Sequence, residues 1–148
     1  MERQSKGGSE YSVVYWDSSG ILSALFKDSH SRKVLVWFKK KGIHLISSLG
    51  CAEVCAVISR LKRDKMLSGV LADAALNTIS AGPLRQLNIQ PDRKWIVSLS
   101  AKWPLRGADL WHLAAAKTLA EQIPEMILLT LDDRMRTAAE GERLAVAP

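Results

Sequence analysis

At 148 residues the chain has the length of one ordinary domain with a real core. Apolar content of 47% and charged content of 24% exclude a disordered chain, and no apolar run reaches membrane-spanning length. Lys and Arg outnumber Asp and Glu by 21 to 15, and the resulting +6 suits an anionic partner such as nucleic acid as well as it suits a merely basic protein.

Residues 1–10 are polar and glycine-bearing. They read as a flexible lead-in without a signal peptide, which leaves a single domain over 11–148 and the expectation of a cytoplasmic protein. The run Val13-Val14-Tyr15-Trp16 predicts a buried parallel strand that ends on Asp17. Ser18 and Ser19 are good helix caps, so Asp17 is free for another task, and a helix is expected over 19–26. Ser31 can cap a second helix over 32–41, with Gly42 as its stop. Ile43 to Ile46 predicts a second strand. A helix over about 49–65 follows, with Glu53 in its first turn, and then another over 67–80. Cys51 and Cys55, four apart, share a helix face and pack as small apolar groups rather than forming a bridge or a zinc site.

Leu84 to Ile89 reads as a third strand, and a helix runs from Gln90-Pro91-Asp92 to about Ala101. Asp109 leads into the clearest helix, 110–122, whose three alanines allow close packing on a sheet. Met126 to Thr130 is a fourth strand. A helix from Asp132-Asp133 to about Glu140 and a last strand over 144–146 complete the chain. Strands alternating with helices predict a parallel sheet covered on both faces.

Four acids then fall at comparable places: Asp17 and Asp132 after strands, Glu53 and Asp109 at helix starts. Parallel strand ends share one edge, so these carboxylates can converge, and such a cluster repels itself unless a cation occupies it. Oxygen ligands without His or Cys suit Mg²⁺ or Mn²⁺, ions that assist cleavage of a phosphodiester. Each acid also has an ordinary explanation as a helix cap or dipole partner.

The segments Tyr15-Trp16-Asp17-Ser18-Ser19, Ser48 to Val54 around Glu53, Leu105 to Ala116 around Asp109, and Leu129-Thr130-Leu131-Asp132 resemble the PIN-domain ribonucleases. Within that family they are most similar to VapC-type toxins of toxin–antitoxin systems. The resemblance spans roughly residues 13–146. It implies a three-layer α/β/α sandwich with a central parallel sheet in strand order 3-2-1-4-5. It also implies Mg²⁺- or Mn²⁺-dependent cleavage of RNA by a metal-activated water, leaving a 5′-phosphate and a 3′-hydroxyl. Asp17, Glu53, Asp109 and Asp132 would be the acidic quartet, with Asp17 and Asp109 the main direct ligands. Ser19 and Thr130 match hydroxyl positions that support the acids. Asp133 stands beside Asp132 and competes for its role. A small antitoxin and a homodimer are implied on the same ground.

His112 is expected as a packed or hydrogen-bonded histidine rather than a general base. Arg106 is as much a solvated loop residue as a phosphate contact. Lys39-Lys40-Lys41 reads as a solvated helix end, and the five tryptophans lack the spacing of a base-stacking platform. A phosphatase-like sheet is disfavoured because no Asp-x-Asp follows the first strand. Nucleotide folds lack their glycine motifs. The remaining rival is a non-catalytic PIN-like RNA-binding or assembly protein.

Overall fold

Successive residues of β1 (Ser12–Trp16) point to opposite faces of a sheet, and both faces are covered. Tyr15 enters one core and Val14 and Trp16 the other; all three are fully buried. The structure is a computed structural model that describes residues 11–148; the lead-in expected over residues 1–10 lies outside them.

Five parallel strands lie in the order β3-β2-β1-β4-β5: β2 is Gly42–Ser47, β3 Leu84–Leu87, β4 Ile127–Leu129 and β5 Ala145–Ala147. Four helices cover one face: α1 (Ser18–Leu25), α2 (Ser31–Phe38), α3 (Ser48–Arg63) and α4 (Gly69–Ala81). They bury Ile21, Val34, Val54, Ile58, Ala72 and Ile79 against Val14, Trp16, Ile46 and Leu129. Three helices cover the other: α5 (Arg93–Lys102), α6 (Gly107–Gln122) and α7 (Asp133–Gly141). There Leu99, Leu113, the run Ala114 to Ala116 and Met135 pack on Tyr15, Leu45 and Leu128. This is the expected α/β/α sandwich in the expected strand order. No helix among the described residues is long and apolar enough to cross a membrane.

Several expected boundaries move, for local reasons. Asp17 does cap α1: it precedes the helix in extended conformation and accepts from the Gly20 amide. α2 stops at Phe38 rather than Lys41, because the chain tightens at Lys39 and Lys40 and must then enter β2. Gly42 is therefore the first residue of β2, not a helix stop. Its φ of 150° and the Ser12 carbonyl oxygen, 1.9 Å from where a Cβ would sit, exclude any other residue. Ser31 is the first residue of α2 rather than its cap, and its hydroxyl ties the preceding turn together. β3 ends two residues early, β4 loses one residue at each end, and β5 lies one residue later than expected.

Two shifts matter for function. α3 begins at Ser48, so Glu53 lies in its second turn and its first turn holds no acid. α6 begins at Gly107, so Asp109 lies inside its first turn and Arg106 occupies the capping position without a side-chain cap bond. Neither acid can be explained as a cap.

Candidate active site

The carboxyl ends of β1 and β4 are neighbours in the sheet, and Asp17 and Asp132 leave the two strands there. Two hydroxyls stitch these ends together. Ser19 Oγ donates to Asp17 Oδ1 (2.6 Å) and accepts from the Leu131 amide (3.0 Å). Thr130 Oγ1 donates to Asp17 Oδ2 (2.5 Å) and accepts from the Asp132 amide (3.1 Å). With the Gly20 amide, Asp17 accepts three hydrogen bonds of the roughly four its oxygens can take. Burial pushes its carboxyl above the ordinary range, against the pull of these hydrogen bonds and of His112.

Glu53 is tethered differently. His112 is buried; its Nε2 lies 2.5 Å from Glu53 Oε1 and its Nδ1 2.9 Å from the Tyr15 hydroxyl. A carboxylate only accepts, so Nε2 carries the proton toward Glu53. Burial raises the Tyr15 phenol and keeps its hydroxyl protonated beside Nδ1. The imidazole is thus held between the Tyr15 hydroxyl and the Glu53 carboxylate. The hydrogen-bonded reading of His112 holds, and the histidine acts on one of the candidate acids.

Asp109 is half-buried on the first turn of α6. Desolvation raises its carboxyl, and the charges of Asp132, Asp17 and Glu53 raise it further, with only His112 opposing. The other three candidate acids therefore all lie within electrostatic reach of Asp109. Of the neighbouring charges, Asp132 raises Asp109 most; it is half-buried and caps α7 through the Met135 amide (2.9 Å), whereas Asp133 starts that helix exposed. The geometry favours Asp132 over Asp133 as the fourth acid, although it caps as well.

Asp109, Asp132 and Asp133 line a cavity of about 310 Å³ together with Arg106 and Arg134. A larger concavity, about 790 Å³, lies over the α1–α2 turn, and its one acid, Asp28, is occupied by Ser23, Ser31 and the His30 amide. The smaller one holds two of the candidate acids, Asp109 and Asp132. Among the described residues, no three His, Cys, Asp or Glu side chains stand close enough as placed to share one ion. The donor set nevertheless suits a hard divalent cation: it is all carboxylate oxygen, partly desolvated, and the charges of the other three acids raise Asp109. Sequence reasoning missed Arg134, which has no motif around it. The partnership of His112 with Glu53, 59 residues apart, left no local signal either.

An all-parallel five-stranded sheet in the order β3-β2-β1-β4-β5 between two helical layers, with Asp17 and Asp132 leaving the carboxyl ends of β1 and β4, is the PIN-like fold, and this chain has it. The same fold is found in FitAcB from Neisseria gonorrhoeae, at TM-score 0.62 and 17% identity over 92% of this chain and 97% of that one. VapBC2 from Rickettsia felis, solved bound to a DNA fragment from its promoter, matches at TM-score 0.61 and 16% identity over 90% and 96%. VapC20 from Mycobacterium tuberculosis, a toxin that cleaves the sarcin–ricin loop, matches at TM-score 0.57 and 13% identity over 84% and 94%. No protein-family model and no curated protein matches the chain by sequence.

Proposed function

We propose that the protein is a metal-dependent endoribonuclease, the toxin of a toxin–antitoxin pair. The observation that carries this reading is the set of Asp17, Glu53, Asp109 and Asp132, with Asp17 and Asp109 raised in pKa and no Lys or Arg among the causes that act on either. Asp17 and Asp109 would be the main holders of Mg²⁺ or Mn²⁺, with Glu53 and Asp132 completing the site. Such an ion, when bound, makes water nucleophilic at neutral pH and neutralises phosphate charge. Ser19 and Thr130 hold Asp17 in place. His112 holds Glu53. Arg106 and Arg134 sit on the cavity wall, where a guanidinium suits a phosphate. Attack at phosphorus breaks the bond to the 3′-oxygen, leaving a 3′-hydroxyl and a 5′-phosphate.

A small antitoxin partner fits the FitAcB and VapBC2 likenesses, since both have the fold of this chain. A homodimer and a cytoplasmic location belong to the same reading. The separation of the acids as placed favours a second reading, in which the chain binds RNA without cutting it. One experiment decides. Purified protein is incubated with RNA in chelator and then with added Mg²⁺ or Mn²⁺. Cleavage only with metal, lost in Asp17→Ala and Asp109→Ala, supports the nuclease. Binding without cleavage under all conditions supports the second reading.

A further inference from the structure

The acidic cavity does not end at the acids. A second hollow of about 240 Å³ shares Asp133 and Arg134 with it and is otherwise lined by Trp103, Pro104 and Thr137. The two hollows adjoin at Asp133 and Arg134: the first carries carboxylates and two guanidinium groups, and the second adds an indole and a proline ring. Among the described residues neither Arg106 nor Arg134 is paired with a carboxylate.

Trp103 is fixed before any ligand arrives. Its Nε1 donates to Glu142 Oε2 at 3.2 Å, and its six-membered ring lies on Gly141, where a Cβ would come within 2.4 Å of Cη2. The Glu142 side chain is only 6% exposed and is held in turn by Lys102 at 3.4 Å and Lys117 at 3.7 Å. An aromatic group immobilised in this way loses little conformational freedom on binding a planar partner.

Building on the nuclease reading, we propose that the Trp103–Pro104 hollow is a nucleobase subsite. It takes the base of a nucleotide whose phosphate lies against Arg106 and Arg134 at the acidic end. The two guanidinium groups suit the phosphate, and the indole and proline rings suit the flat base. Aromatic side chains that stack bases tolerate any sequence, because every base has a π-face. A base inserted here is unpaired, so a continuous duplex is excluded at that nucleotide.

The test uses the full-length chain carrying Asp109→Asn, which binds without cutting, and two fluorescent single-stranded RNAs of equal length, one with bases and one abasic. Fluorescence anisotropy is expected to show roughly tenfold tighter binding of the strand with bases. Thr137 is exposed, so Thr137→Met fills the hollow with a side chain that cannot stack and leaves the core undisturbed, which a thermal melt checks. This variant is expected to lose the preference for bases while its affinity for the abasic strand, set by the arginines, is unchanged. A preference that survives in folded Thr137→Met overturns the subsite and leaves the nuclease reading standing. If the unmutated protein neither binds nor cuts RNA, the nuclease reading falls and the subsite with it.

Discussion

Two groups of buried carboxylates on this molecule are treated in opposite ways. Glu142 is taken out of water, which by itself raises its carboxyl. The Trp103 indole and the charges of Lys102 and Lys117 outweigh that cost and bring it below the ordinary value of 4.5. The chain supplies everything this anion needs. Asp17 and Asp109 are also desolvated, yet what surrounds them is hydroxyls, amides, one histidine and more carboxylates, and both end above the ordinary value of 3.8. Glu142 joins the loop after α7 to α5 and α6 and has the partners of a structural ion pair. Among the described residues neither aspartate has a Lys or Arg within ion-pair distance, as suits groups that await an external cation.

The contrast is broken or sharpened by mutation. The largest effect is expected from Asp17→Ala and Asp109→Ala, each lowering metal-dependent RNA cleavage by on the order of 10³-fold; cleavage at parental rates in both mutants would remove the metal reading. Glu142→Ala should leave the acids alone and destabilise the fold by about 1–3 kcal/mol, because the Trp103 N–H loses its partner. Urea unfolding measures this, and an unchanged midpoint would show the pair to be idle. His112→Leu should weaken Mg²⁺ or Mn²⁺ binding by roughly 10- to 100-fold in titration calorimetry. His112→Gln, which keeps a donor near the Nε2 position, should recover most of it. Equal losses in the two variants would reduce the histidine to a packing residue.

The smallest effects are the most diagnostic, because they differ in sign. Asp109 is raised in the fold, so its contribution to stability is full below about pH 3.8 and is lost as pH rises through the shifted value. Metal-free Asp109→Asn should therefore match its parent in acid and exceed it in thermal stability at neutral pH. Added Mg²⁺ or Mn²⁺ should erase that advantage by stabilising the parent alone. Glu142 is lowered, so its contribution is present above about pH 4.5 and fades as pH falls through the folded value. Glu142→Gln should be weaker than its parent at neutral pH and converge with it in acid. Melting curves that move in the same direction for both variants would contradict the distinction.

Much of this was legible in the sequence, and the gaps have physical causes. The parallel sheet follows from strands alternating with helices, its strand order from the resemblance to PIN-domain proteins, and Asp17 was visible as an acid at the end of an apolar run. The ordinary explanations for Glu53 and Asp109 depended on helix starts that lie elsewhere: α3 opens at Ser48 and α6 at Gly107. Boundaries of this kind depend on how the chain enters the helix, which residue types signal only weakly. Asp132 shows the converse, since its capping role was foreseen and coexists with its place among the acids. His112 and Trp103 stayed opaque because each acquires meaning from a partner many residues away, Glu53 in one case and Glu142 in the other.

The hydroxyl stitches between β1 and β4 join residues 112 and 113 positions apart. A chain emerging from a ribosome can form β1, α1 and the whole helical cover of one face long before Thr130 is made. Until then Asp17 lacks one of its three hydrogen bonds, and Asp132 does not yet exist. The four candidate acids therefore cannot stand together until nearly nine-tenths of the chain has been made.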